Sequence, residues 1–226
     1  MIQRRRHDGH GLEGGAFVVL SDIFINTAFL LIIMLVAVTL TSSSALKQVQ
    51  INDDQKHFER QLARAFPHQW NSVLLPYDNG NYQRLTFADS LFFDPGRWDL
   101  KTNAYPLLNQ LAPLLREQLR DQKVIKIVVE GHTDQEKMST QLASQVQDSW
   151  GLSALRAMAV VRYLQTQSLP GSELTAVGRG EYSPLDARHT ADAFAKNRRI
   201  EIILVYAAGQ DQGASGRVRT MRRSGQ

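Results

Sequence analysis

The chain has 226 residues, 43% of them hydrophobic and 21% charged, which is enough apolar material for a core and too little charge for a disordered chain. The absence of cysteine excludes a disulfide framework, a thiolate metal site, a cysteine nucleophile and a lipid attached through an N-terminal sulfur. The formal net charge of +4 sits in two tails: Arg4, Arg5 and Arg6 against Asp8 and Glu13 give +1 in residues 1–15, and four arginines against Asp211 give +3 in residues 207–226. The body between them sums to zero and has no charge excess with which to hold a nucleic acid.

Residues 16–40 are mostly apolar and carry one charge, an acid, and 25 residues at about 1.5 Å each exceed a hydrocarbon core of about 30 Å. This stretch is predicted to be a single transmembrane helix. The arginines ahead of it, with no further basic residue before Lys47, place residues 1–15 in the cytoplasm and the chain after it outside. A cleaved signal peptide is the competing reading, given the small residues Ser42 to Ala45. The run is longer than the roughly 7–15 residue core of such signals and contains an acid. That acid is Asp22. An intramembrane carboxylate costs about 2.5–3.5 kcal/mol to insert and marks ion or proton routes, and Asn26 follows on the same helix face. Asp22 and Asn26 are therefore the candidate ion-relay pair. The alternative starts the span at Ile23 and makes Asp22 an interfacial N-cap. His7 and His10, beside Gly9 and Gly11, read as a flexible polar tail.

Residues 41–83 are expected to be a periplasmic linker containing a helix, whose stripe of Phe58, Leu62, Ala65 and Phe66 suits pairing with a second copy. A Pro/Asn/Gly break spans Pro76 to Asn81. Residues 84–206 then alternate strand and helix: a strand near 84–93, a leucine-rich helix through Leu107 to Leu119 kinked at Pro113, a buried strand 124–129, a helix 151–167, a strand 173–177, a Gly/Pro-rich loop to Lys196 and a last strand 200–206. The pattern predicts an α/β domain with helices packed on a mixed β-sheet. Residues 207–226 are expected to be a basic disordered tail.

Glu130-Gly131-His132-Thr133-Asp134, then Leu152-Ser153 with Arg156-Ala157, Gly178 and Gly180, and Asn197-Arg198-Arg199-Ile200-Glu201 occur in an order that resembles OmpA-type peptidoglycan-binding domains. The run Ser149-Trp150-Gly151-Leu152-Ser153 is more similar to the MotB branch, and a single span with an early aspartate ahead of such a domain has the layout of MotB. The resemblance implies that Asp134 and Arg156 grip the ammonium and carboxylate of a diaminopimelate stem peptide, an acid taking the amine and a guanidinium the carboxylate. Thr133 and amides near the helix start would add hydrogen bonds, and Arg198 and Arg199 would frame the site or cap neighbouring carbonyls. A plain strand-to-helix salt bridge between Asp134 and Arg156 is the alternative. Both residues lie at element ends, so replacing either is expected to leave the fold intact. Two departures from the resemblance are a longer segment between Asp134 and Arg156, and Ser149 where asparagine is usual.

His132 and His189 lack a third ligand at metal-binding spacing, and no Ser-His-Asp set, Walker loop or dinucleotide fingerprint is present, so neither metal, cofactor nor enzymatic activity is expected. By resemblance, two copies of this chain, bound to peptidoglycan, sit inside five MotA-like multi-span partners in the bacterial inner membrane and form an ion-driven motor. The compact layout and the Leu20-Ser21-Asp22-Ile23-Phe24 sequence favour a Zorya-type antiphage motor over a flagellar stator. A static envelope tether is the alternative.

Overall fold

The computed structural model describes residues 11–67, 74–134 and 144–207. The expectations for Arg4 to Arg6, His7 and His10, for most of the segment between Asp134 and Ser149, and for the basic tail beyond residue 207 lie outside the described residues.

Helix α1 runs Gly11–Ala65, and the chain divides into two units after Lys47. In the first unit α1 is long and apolar enough to cross a membrane. Its large apolar side chains from Leu20 to Leu40, such as Phe24, Phe29, Leu31 and Leu35, are exposed to their surroundings. Asp22 and Asn26 are exposed as well, one turn apart. The Thr/Ser stretch at 41–44 does not end the helix. The hydroxyls of Thr39 and Thr41 donate back to carbonyls one turn earlier, at Val36 and Ala37, so these polar groups are satisfied without leaving the helix.

The second unit begins at Gln48 and carries a five-stranded sheet in the order β1-β2-β5-β3-β4. Its elements are β1 (Leu74–Asn79), β2 (Tyr82–Ala88), α2 (Ala104–Arg120), β3 (Val124–His132), α3 (Ser149–Thr166), β4 (Leu174–Gly178), α4 (Ala191–Asn197) and β5 (Arg199–Tyr206). All neighbouring strands pair antiparallel except β3 and β4, which are parallel, as the helical crossover between them requires. The sheet is therefore mixed, as expected. Leu85, Phe87, Ile127, Val129, Ile200, Ile202 and Leu204 share one sheet face by strict alternation and are buried in a core with Leu108, Leu111 and Leu115 of α2 and Val160 and Leu164 of α3. Pro113 sits on the exposed side of α2, where its missing N–H and ring displace no core contact, and the helix continues through it.

Three expectations need correction. Residues 48–67 and 74–79 are part of the folded unit: Ile51, Phe58, Leu62 and Phe66 lie in the core, and β1 adds an edge strand. The stripe on α1 thus packs on its own domain. Polar bonds fix that seating: Gln55 Nε2 donates to Gly80 O at 3.1 Å and Gln83 Nε2 to Gln55 O at 3.1 Å. Within the expected break at Pro76 to Asn81, Pro76 to Asn79 belong to β1, and only Gly80, at φ +60°, and Asn81 form the hairpin turn to β2. Finally, the long loop before Lys196 contains α4, capped by Thr190, whose Oγ1 accepts the Ala193 N–H at 3.3 Å.

Candidate functional site

Strand register assembles the site. Ala88 lies opposite Arg199, and Arg199 opposite His132, so the next residues outward, Asp89, Arg198 and Thr133, emerge at one end of the sheet. Backbone bonds tie that end together: Asp89 N–H donates to Arg198 O at 3.1 Å, and Thr133 N–H to Gly180 O at 2.9 Å. Helix α3 begins beside it, its N-cap Asp148 accepting the Gly151 N–H at 2.9 Å. A Cβ on Gly131 would sit 2.1 Å from the Ser153 carbonyl oxygen, and one on Gly178 2.8 Å from the Ala154 backbone nitrogen. Only glycine at these two positions lets α3 lie so close to the strand ends, and that approach carries Arg156 to the site.

Arg156 is 3% exposed. Its Nη1 donates to Asp89 Oδ2 at 2.8 Å, its Nε donates to the Arg97 carbonyl at 2.9 Å, and its guanidinium carbon lies 5.2 Å above the Phe93 ring centroid. Burial lowers the pKa of this guanidinium. Asp89 and Asp134 act in the opposite direction, and Arg198 adds to the lowering. Asp134 is paired with Arg198 Nη1. Two acid–arginine pairs therefore share one sheet end, one buried and one half-exposed, each close enough to feel the other. Thr133 adds a buried Oγ1 with no hydrogen-bond partner among the described residues. Such a set presents both signs of charge and a spare hydroxyl, which suits an amino-acid-like zwitterion.

The placement of Arg156 corrects the expectation that it lies outside the core, because its charge depends on Asp89 and its stem is enclosed. Arg199 does not frame the site. Its Nε donates to Glu201 Oε1 at 2.7 Å, and its Nη1 and Nη2 donate to the carbonyls of Asn197 and Ser183 at 3.2 and 3.1 Å, which is the carbonyl-capping alternative. Asp89 and Phe93 are the site residues that sequence reasoning missed. Their stretch reads as one strand to residue 93, whereas β2 ends at Ala88 and a single 3-10 turn follows at Asp89–Leu91. The signal was a lone carboxylate within an apolar run, which needs a cation when buried.

On the sheet face away from the core, Glu130 and Glu201 lie directly opposite each other. Facing carboxylates repel, so the arrangement requires cations. Arg179 takes both oxygens of Glu130 at 2.9 and 2.6 Å, while Arg84 and Arg199 each take one oxygen of Glu201 at 2.7 Å. His132 Nε2 lies 3.5 Å from Glu201 and 3.7 Å from Glu130. Burial pushes both carboxyls up, yet His132 with Arg179 at Glu130, and His132 with Arg199 at Glu201, outweigh it and hold each at about 2. The ligand-type atoms of Glu130, His132 and Glu201 fall within 4.8 Å of one another, the spacing of a cation site. Three arginines already occupy the carboxylates, so a metal would have to displace them.

Residues 92–198 match the OmpA family. This part of the chain is an OmpA-like domain. Motility protein B of Bacillus subtilis is 32% identical over 126 residues, covering 54% of this chain and 44% of that protein. Among solved structures, a MotB-like protein from Desulfovibrio vulgaris superposes with a TM-score of 0.62 at 26% identity, covering 73% of this chain and 98% of that one. The cell wall anchor of the T6SS from Pseudomonas aeruginosa gives 0.55 at 25% identity, covering 64% and 96%. The chain spans about half the length of the curated relatives it matches. The OmpA-like domain, with its MotB-like likeness, agrees with the fold and the resemblance drawn from the motifs.

Proposed function

We propose that this chain is a single-pass inner-membrane protein whose OmpA-like domain binds peptidoglycan, and that it acts as the wall-anchored B subunit of a MotA/MotB-like ion-driven motor rather than as an enzyme. The observation that carries the wall-binding part is the pairing of Asp134–Arg198 with Arg156–Asp89 at one sheet end. A diaminopimelate end brings one ammonium and one carboxylate. Asp134 takes the ammonium and releases Arg198, while Arg156, held by Asp89 and the Arg97 carbonyl, turns its remaining N–H groups to the carboxylate. Thr133 Oγ1 completes the set. The full chain should be pulled down by purified peptidoglycan, and Asp134→Ala should abolish this without a change in melting temperature. Retained binding would return Asp134–Arg198 to a structural ion pair.

The motor part rests on Asp22 and Asn26, exposed one turn apart on an apolar helix. A carboxylate there is costly unless a partner or water path receives it, and each charge crossing 100 mV supplies about 2.3 kcal/mol. The partner reading is a ring of five MotA-like subunits around two copies of this chain, of Zorya antiphage type, with a flagellar stator as the alternative. Asp22→Asn keeps shape and removes the titrating proton. It should abolish the phenotype while the partner complex still assembles. Full activity in that variant would favour the second reading, a static tether, which the likeness to the T6SS cell wall anchor supports.

A further inference from the structure

Two aromatic side chains near the site have no part in the ion pairs described above. Trp150, the second residue of α3, and Tyr182, in the loop after β4, are 47% and 62% exposed. Their rings stack with centroids 5.3 Å apart and planes 23° from parallel. Stacking is a favoured aromatic geometry, and with both residues exposed the stacked pair presents one continuous aromatic surface. Its position is fixed by short links to the site. Gly180 accepts the Thr133 N–H through its carbonyl, donates its own N–H to Ser153 Oγ at 2.9 Å, and would meet Ser149 Oγ and the Tyr182 ring at 3.0 and 3.2 Å with any Cβ. Ser153 Oγ in turn donates to the Trp150 carbonyl at 3.0 Å. The aromatic pair is therefore continuous with the Thr133–Asp134 end of the site, and Tyr182 is two residues from Gly180, at most about 7 Å of chain.

We propose that Trp150 and Tyr182 form a platform for a sugar ring of the glycan strand, so that the domain grips peptidoglycan at its saccharide as well as at its stem peptide. This rests on the wall-binding reading above. A pyranose presents a face of weakly positive axial C–H groups, which complements the negative face of an indole or phenol, while the phenol hydroxyl and indole N–H reach sugar hydroxyls at the rim. Diaminopimelate is the third stem residue, so two residues separate it from the sugar, a reach of about 7 Å when extended. The chain from Gly180, whose carbonyl accepts the Thr133 N–H, to Tyr182 reaches at most about the same span.

The test uses the full chain in detergent and two ligands: the diaminopimelate-containing tripeptide alone, and the same tripeptide on its N-acetylglucosamine–N-acetylmuramic acid disaccharide. The wild type should bind the disaccharide form about fivefold to tenfold more tightly. The double variant Trp150→Ala/Tyr182→Ala should bind both ligands with the affinity the wild type has for the free tripeptide, at an unchanged melting temperature because both rings are exposed. Trp150→Phe/Tyr182→Phe should keep most of the preference, since the faces remain. Equal binding of both ligands by the wild type would overturn the platform and leave the wall site standing. A preference that survives in the alanine double variant would overturn it too, placing the sugar elsewhere. Binding of neither ligand by the wild type would reject platform and wall site together.

Discussion

In the proposed wall site Asp134 and Arg156 offer opposite charges to one ligand, but they differ in what they depend on. Asp134 leans on Arg198, half-exposed and able to move aside, whereas Arg156 is enclosed and paired with Asp89. Removing Asp89 leaves a buried guanidinium without its carboxylate, a loss of about 3–5 kcal/mol. Asp89→Ala should therefore lower both wall binding and thermal stability, while Asp134→Ala lowers binding alone; parallel melts and pull-downs of the two variants check this. Equal stability of both would mean that Arg156 finds another partner. The contrast makes Arg156→Ala a poor probe of binding, since loss of affinity and loss of fold would arrive together. Arg198 and Arg199 divide in the same way. Adjacent residues at the edge of a strand point to opposite sides, so Arg198 faces Asp134 and Arg199 the Glu201 network.

At the scale of elements, the closeness of α3 to β3 is the feature most exposed to mutation. A methyl at position 131 would collide with the Ser153 backbone carbonyl, and no rotamer change relieves it. Gly131→Ala should cost about 2–4 kcal/mol and shift Arg156 from Asp89, read as a lower denaturant midpoint together with weaker peptidoglycan binding. The elements legible in the sequence were those with clean periodicity: α2 with its leucines, β3, α3 and β5. The missed ones have physical reasons. Strand β1 contains Pro76, which a sheet edge tolerates and a sequence pattern does not reveal. Helix α4 has only seven residues, too few for a period, and is announced only by Thr190. The stripe of α1 was visible, but what it packs against is a matter of tertiary structure. Of the site, Thr133, Asp134, Arg156 and Arg198 were legible through their motifs. Asp89 was hidden because its role comes from strand register, which no local pattern records.

At the scale of the molecule, charge couples stability to pH. Glu130 and Glu201 are held at about 2, well below the ordinary glutamate value of 4.5, so the folded state binds their protons less readily than the unfolded chain. Their contribution is fully present above about pH 4.5 and is lost as pH falls toward 2. Chemical denaturation of the wild type should show stability declining across that window, and Glu130→Gln should flatten the decline; an unchanged slope would mean the arginines do not stabilise the ionised pair. The sheet order carries a further consequence. Strand β5 is made after every other strand, yet it lies between β2 and β3 at the middle of the sheet. During synthesis, β1 with β2, and β3 with β4, can form only as separate halves until β5 arrives to join them. It brings with it Arg199 and Glu201, and with the residue just before it, Arg198, the counter-charge of Asp134. The chain therefore acquires its sheet and the proposed ligand site in a single late step, so a nascent domain stalled before residue 198 would have neither a closed sheet nor the Asp134–Arg198 pair.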